Sequence, residues 1–294
     1  MTSLLARATR EIYRRELVPT RARWWLAAAG MSDWFRVVAR GLGPHLGDRA
    51  RSVIRDIGAR MFTRRYAVLR SGLPSLPTLA EDPRAAALMM SGLYRSWSMV
   101  RGKGTWILDG LGGAARGPSE LLRSRELARR LPVEARWREV ATHLGELLIV
   151  LTEDLPAHLP HARKVLADLC FEMGKRAGES AKRHLGLTGE PDAAADTFEA
   201  LRMGELVFHV NPEHHIATDP GKRTGYLEGT ACLWWQRPGW NGAHCGIFGQ
   251  FQAGVAHVFG LRYFLEKTIP KHGGTTCRVD VKPVTLRRTK DAPG

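Results

Sequence analysis

The spacing of apolar residues changes near the middle of the chain, and this change constrains the fold more than any other feature. Over residues 1–185 apolar side chains recur every three to four positions, for example at Ala86, Met89, Leu93 and Trp97, which predicts amphipathic helices. Over residues 197–288 the period falls to two around a single helix, which predicts strands. The sequence therefore predicts an α+β fold with a helical N-terminal region.

Prolines, glycines and capping residues set the expected limits of the elements. We expect helices that begin after Pro132 and span His161–Leu185 and Ala243–Gly260, and strands at Gly204–Val210, Tyr226–Gln236, Arg262–Ile269 and Cys277–Leu286. His214 and His215 are predicted to form a polar turn. The glycine-rich segment Gly102–Pro118 predicts a linker, so the chain is divided into a basic helical region, 1–118, and an α+β domain, 119–294.

Composition is typical of a globular protein. The 294 residues are 44% hydrophobic and 25% charged, which is enough for one large domain or two ordinary ones. No apolar run approaches the roughly 18 residues of a membrane span, and early arginines interrupt any signal peptide. We therefore expect a cytoplasmic protein without a transmembrane segment, whose four cysteines are thiols or metal ligands rather than disulfides.

The positive charge is concentrated at the start of the chain. The net charge is +15, and residues 1–70 hold 15 arginines against five acids, a local excess of +10. In the same region Leu4, Leu5, Ala8 and Ile12 form a helical apolar stripe opposite the early arginines. One interpretation is a solvated helical face. The other is a surface that binds a protein partner, a nucleic acid or an anionic lipid surface.

The segment from residue 243 to 283 holds the candidate chemical groups. Cys245 lies in the first turn of the predicted helix beside His244, and a helix N-terminus favours a thiolate. Strand alternation places Cys277 on the inward face of the last strand. Cys245, Glu266, His272 and Cys277 together supply two thiolates, a carboxylate and an imidazole, which suit tetrahedral zinc. The alternative is that both cysteines are small core residues and the histidine belongs to a turn.

This segment resembles the 4-vinyl reductase domain. The residues that carry the resemblance follow the order of the family pattern: Cys245, Gly249, Gly254, Gly260, Glu266 and Cys277. The helix from Lys164 to Leu185, with Met173-Gly174-Lys175, resembles the leading helix of the family. His272 stands near the place of a further family cysteine, and Gly273-Gly274 replaces a Gly-Asp turn. The resemblance implies an antiparallel sheet packed on helices, a pocket for an apolar or aromatic ligand, and zinc bound by cysteine and glutamate.

A second resemblance is to aminothiazoline-carboxylate hydrolase-like proteins. It implies that Cys232 and Cys245 face one cavity, with Cys245 as a nucleophile and His244 or His257 as its base. Ordinary core thiols are the alternative. Trp234, like Trp235 and Trp240 near it, lines an aromatic pocket, stacks on a nucleic-acid base or packs in the core. The ligand-pocket residues predicted on these grounds are Cys232, Trp234, Phe251 and His257.

Three functions follow as hypotheses. The first is a protein that binds or senses a small apolar or aromatic molecule through a 4-vinyl-reductase-like domain. The second is an enzyme of the same fold that uses Cys245 on a small heterocyclic or tetrapyrrole substrate. The third is a nucleic-acid-binding or partner-binding scaffold that uses the basic residues 1–70. A homodimer is the assembly considered for each.

Overall fold

The computed structural model describes residues 4–94, 105–109, 117–208, 214–230, 234–235 and 237–284. The helices of the first half are α1 (Leu4–Arg14), α2 (Thr20–Leu46), α3 (Ala50–Gly72), α4 (Pro83–Gly92), α5 (Thr105–Asp109), α6 (Pro118–Arg129) and α7 (Val133–Asp154). The second half continues with α8 (Ala162–Leu185), α9 (Ala193–Phe208), β1 (His214–Asp219), β2 (Thr224–Gly229), α10 (Gly242–Val258), β3 (Leu261–Lys267), α11 (Ile269–His272) and β4 (Cys277–Pro283). Among these described residues, no helix has both the length and the apolar content to cross a membrane.

The four strands form one antiparallel sheet in the order β1-β2-β4-β3. Leu227 of β2 pairs with Val279 of β4, and Tyr263 of β3 pairs with Val281 of β4. Leu227, Val279 and Val281 are buried in a cluster that includes residues of α9 and α10. One face of the sheet therefore packs on helices, and the prediction of an α+β fold with a helical N-terminal region is confirmed.

Helices α8 and α10 pack backbone to backbone because glycines face each other across their contact. A Cβ atom on Gly174 would overlap the carbonyl oxygen of Phe251, and one on Gly254 would overlap the carbonyl oxygen of Phe171. Glycine lacks this atom, so the two helices approach more closely than any larger residue would permit. Gly174 of α8 and Gly254 of α10 thus serve a close contact between the two helices.

The larger hydrophobic core is continuous through most of the chain. It runs from Trp24 on α2 through Phe62 on α3 and Leu144 on α7 to Ile247 on α10. Helix α2 lies along α7, and α7 also contacts α3. The helices of the first half therefore share a core with the C-terminal half across the predicted boundary at residue 118.

One predicted strand is wrong. Residues Gly204–Phe208 belong to the end of α9, and 209–210 lie outside the described residues. Phe198, Leu201 and Glu205 follow helical spacing and are all buried. The alternation of apolar residues over so short a run resembles a strand, but the helix is set by the side chains that precede it.

Other limits also differ from the prediction. Residues 214–219 form β1, not a polar turn, because they pair with all of β2. Strand β2 ends at Gly229, while 231–233 and 236 lie outside the described residues. Within the predicted linker, Thr105–Asp109 is helical, and 102–104 and 110–116 are likewise outside the description.

Candidate functional site

Cys245 lies in the first turn of α10, as predicted. Asn241 caps this helix, since its side-chain oxygen accepts a hydrogen bond from the backbone N–H of Ala243 at 2.9 Å. The indole N–H of Trp240 points at the sulfur of Cys245 across 3.3 Å. The half-buried thiol is therefore held by an indole donor at a helix N-terminus.

His244 completes the cap of this helix. Its Nδ1 accepts a hydrogen bond from the backbone N–H of Asn241 at 3.1 Å, so Nε2 carries the proton and lies 2.7 Å from the hydroxyl oxygen of Thr152. Burial lowers the pKa of His244, although the hydrogen bond at Asn241 opposes this. The ring is neutral near pH 7 with both nitrogens occupied, so His244 positions the helix and offers Cys245 no free base.

The four predicted zinc ligands contact different neighbours. The sulfur of Cys277 accepts the N–H of Ile269 at 3.2 Å, and Nδ1 of His272 accepts the N–H of Thr268 at 3.0 Å. Glu266 is exposed, and its carboxylate lies 3.9 Å from the ammonium of Lys282. Within the described ranges, no three side chains of His, Cys, Asp or Glu are grouped as metal ligands.

The two cysteines nevertheless lie near one buried phenol. Tyr263 of β3 donates a hydrogen bond to Gln252 of α10. Burial raises its pKa well above the usual value, and the charges of Glu205, Cys245 and Cys277 raise it further. Tyr263 therefore lies within electrostatic range of both sequence-predicted cysteines and of Glu205.

Glu205 is a buried acid that the sequence did not single out. Burial raises its pKa to about 8, against the opposing charge of Arg202. It is therefore mostly protonated near pH 7 and adds a neutral carboxyl group beside Tyr263. The predicted strand over residues 204–210 obscured it. If this segment had been predicted as a helix, Glu205 would have fallen on the same face as Leu201 and Phe198.

The predicted ligand-pocket residues are dispersed. Trp234 is only 1% exposed, and its ring packs edge-on against Phe248 at 4.8 Å. Phe251 stacks on Phe248 at 5.5 Å. His257 is exposed and contacts the ring of Phe171 of α8, and Cys232 lies outside the described residues. Trp234 and Phe251 therefore belong to one packed aromatic core, away from His257.

A large cavity opens between the helices of the first half. It has a volume of about 940 Å³ and lies between α2, the end of α4, α6 and α7. The charged residues of its lining are four arginines, Arg21, Arg125, Arg129 and Arg136. We call this space, with the residues that line it, the arginine cavity.

The four guanidinium groups make no ion pair with any carboxylate in the part of the chain that the structure describes. Neighbouring arginines on the same helices behave differently. Arg123 of α6 pairs with Asp82 at 2.9 Å, and Arg138 of α7 pairs with Glu134 at 2.8 Å. Among the described residues, positive charge is therefore left without a carboxylate partner at the cavity but not beside it.

Two tryptophans form the aromatic wall of the arginine cavity. The guanidinium of Arg136 lies 4.6 Å from the ring centre of Trp24, and that of Arg21 lies 5.1 Å from the ring centre of Trp25. Burial lowers the pKa of Arg136, and the nearby charges of Arg129 and Arg21 lower it further. Cation–π contacts thus hold two of the guanidinium groups in place without neutralising them.

A buried chain of hydrogen-bonded side chains, Tyr94, His143, Glu139 and Arg65, lies behind the cavity wall. We call it the relay. The hydroxyl of Tyr94, which lines the cavity, donates a hydrogen bond to Nδ1 of His143. Nε2 of His143 lies 2.9 Å from a carboxylate oxygen of Glu139, and Arg65 binds both oxygens of Glu139 at 2.8 and 2.7 Å. The relay fixes the position of the Tyr94 ring at the cavity wall.

The charge state of this relay follows from burial and pairing. Burial alone would raise the pKa of Glu139, but hydrogen bonds from His143 and Arg65 outweigh burial and lower it to about 2. Burial lowers the pKa of His143, although Glu139 opposes this. The relay therefore holds a neutral imidazole and one internal ion pair, and it contributes no net charge to the cavity.

Comparison of the chain with protein-family models, with curated proteins and with solved structures finds no significant match.

Proposed function

We propose that this protein binds a small anionic molecule with an aromatic or apolar body in the arginine cavity. The observation that carries the proposal is the group of four guanidiniums without carboxylate partners around a space of about 940 Å³. Cavities that bind small ligands in proteins commonly have volumes of about 300–1,000 Å³. The proposal keeps the binding role expected from the sequence and places it in the first half of the chain.

The charge of the cavity favours an anion. Burial is the main cause of the lowered pKa of Arg136, and the like charges of Arg129 and Arg21, which repel it, lower that pKa further. A phosphate, sulfonate or carboxylate group would remove this repulsion and accept charge-assisted hydrogen bonds, which guanidinium groups donate in pairs. Each such bond contributes about 1.5–3 kcal/mol.

The walls favour an aromatic or apolar body beside that anion. The indole rings of Trp24 and Trp25 and the small side chains of Ala28, Ala29 and Ala128 line the rest of the cavity. An aromatic ring can stack on an indole, and the alanines leave room for it. A purely inorganic anion would leave most of this surface in contact with water.

A pair of matched probes tests the proposal. Isothermal titration calorimetry of the full chain would compare 1-naphthyl phosphate with uncharged 1-naphthol, which has the same ring system. We expect the phosphate to bind at least about tenfold more tightly, because one charge-assisted hydrogen bond corresponds to about that factor. Equal affinities, or no binding of either probe and of 1-naphthoate and palmitate, would contradict the proposal.

A second proposal concerns the C-terminal half, which we propose to be a 4-vinyl-reductase-like domain with zinc at Cys245 and Cys277. The observation that supports the domain is that α8 and α10 pack through Gly174 and Gly254, two glycines that carry the resemblance. Metal analysis of protein purified without chelators tests it. About one zinc per chain, lost in Cys245→Ser and Cys277→Ser, would support the site, and metal-free protein would argue against it.

A further inference from the structure

Exposed apolar side chains are concentrated at the start of the described chain. Of nine large hydrophobic residues that are strongly exposed, six lie within residues 4–26: Leu4, Leu5, Ile12, Leu17, Trp25 and Leu26. Helix α1 contributes Leu4 at 85%, Leu5 at 76% and Ile12 at 45% exposure. Isolated exposed leucines are ordinary on protein surfaces, but a cluster on one short helix indicates a contact surface.

Helix α1 turns its large aliphatic side chains outward. Its inward side is mixed: Arg10 lies 3.4 Å from Asp196 and 4.0 Å from Glu199 of α9, Ala6 is buried, and Tyr13 packs against both hydrophobic clusters. The stripe of Leu4, Leu5, Ala8 and Ile12 points to solvent. We call this stripe the outer face of α1. An amphipathic helix in a globular protein normally turns such a stripe toward the core.

Exposed arginines lie near the outer face of α1. Arg7 and Arg14 are exposed on α1, and the exposed Arg15 follows its last residue. Within the described chain Arg15 pairs only with Glu11 of α1, and the guanidinium of Arg14 makes no ion pair. Arginines beside an exposed apolar stripe suit a surface that is apolar below and negatively charged above, which is the interface of an anionic bilayer.

The length of α1 fits a helix that lies in the plane of the interface. Its 11 residues extend over about 16 Å at 1.5 Å per residue, about half of the hydrocarbon thickness of a bilayer. Such a helix is too short to cross the bilayer but long enough to insert three large side chains. We propose that the outer face of α1 docks the protein onto the surface of an anionic lipid bilayer.

Vesicle co-sedimentation of the full chain tests this proposal. Vesicles of phosphatidylglycerol and phosphatidylcholine in equal parts would be compared with vesicles of phosphatidylcholine alone. The test variant replaces the three large apolar residues together, Leu4→Ser, Leu5→Ser and Ile12→Ser. The matched control is Leu122→Ser, since Leu122 of α6 is a leucine of similar exposure, 64%. All four sites are exposed, so circular dichroism should show each variant folded like the native chain.

We expect native protein and the Leu122 control to sediment with the anionic vesicles and only weakly with the neutral ones. The triple variant should bind the anionic vesicles at least about tenfold more weakly, because three apolar side chains no longer insert. Arg14→Gln with Arg15→Gln should also weaken binding and reduce its dependence on salt.

Three results would overturn the proposal. The native chain could fail to bind anionic vesicles, or the triple variant could bind them as well as the native chain does. The third is that sedimentation velocity shows a dimer for the native chain and a monomer for the triple variant, while the native chain binds no vesicles. In that case the outer face of α1 contacts a second copy of the chain.

Discussion

Replacing Gly254 by alanine should destabilise the protein, although alanine is the better helix former. Gly254 lies in α10 where this helix crosses α8. A Cβ atom there would overlap the carbonyl oxygen of Phe171 and lie 2.8 Å from the backbone N of Lys175 and 3.0 Å from the Cα of Gly174. All three neighbours are backbone atoms, so no side chain can rotate away, and the two helices must separate.

The size of the effect follows from two opposing contributions. Alanine stabilises a helix interior by about 0.8–1 kcal/mol relative to glycine. Overpacking of a closely packed contact costs about 1–3 kcal/mol, and more when backbone must move. The overlap should therefore dominate, and we expect Gly254→Ala to lose about 2 kcal/mol. Gly246 of the same helix is the matched control, because nothing lies within 4 Å of its added Cβ.

Urea unfolding followed by circular dichroism at constant protein concentration measures both variants. Gly246→Ala should gain about 0.5–1 kcal/mol, so the two alanine variants should differ by about 3 kcal/mol with opposite signs. In thermal unfolding this corresponds to a separation of at least about 5 °C for a chain of this size. If Gly254→Ala is as stable as the native chain, the close contact between α8 and α10 is refuted.

Two further substitutions test buried charge. In urea unfolding, Glu139→Gln should cost about 3 kcal/mol because it leaves the buried guanidinium of Arg65 unpaired. The control Glu134→Gln breaks only the exposed pair with Arg138 and should cost less than about 0.5 kcal/mol. Equal losses in the two variants would contradict the relay. The pKa of Glu205 is raised to about 8 in the folded state. Between about pH 5 and pH 8 the folded state therefore keeps a proton that the unfolded state has released. The free energy of unfolding of the native chain consequently falls as the pH rises through this range. The melting temperature of Glu205→Gln should therefore exceed that of the native chain more at pH 9 than at pH 5, and a difference independent of pH would argue against a buried protonated acid.

The sequence predicted the long helices of the second half well. The helix expected at His161–Leu185 is α8 (Ala162–Leu185), and the one expected at Ala243–Gly260 is α10 (Gly242–Val258). These segments have long periodic stripes and clear ends, with Asn241 as a cap and Gly186 in the left-handed conformation at the end of α8. Local chemistry decides such limits, so the sequence is sufficient for them.

Short segments were harder to predict because local alternation competes with tertiary context. The run from Gly204 to Phe208 alternates like a strand, yet α9 continues through it since Glu205 joins the buried face that begins at Phe198. The polar run that starts at His214 becomes β1 because β2 offers it a complete set of partners. Pairing across the sheet is a non-local cause that no window of sequence contains.

The candidate site could not be predicted because its parts are distant in sequence. Arg21, Arg125 and Arg136 come from three helices, and each looks like an ordinary solvated arginine in its own segment. Packing of α2 on α7 and of α6 on α4 brings them together, and within the described residues they have no carboxylate partners. For α1 the sequence showed the apolar stripe but not its direction, because that depends on the acids of α9 that bind Arg10.

Titration of 1-naphthyl phosphate into two double variants measures whether the arginine cavity binds an anion. Arg129→Gln with Arg136→Gln removes two cavity guanidiniums, and Arg123→Gln with Arg138→Gln removes two paired arginines of the same helices. We expect at least about a hundredfold loss of affinity in the first variant and native affinity in the second. Equal affinity in the two variants would contradict it.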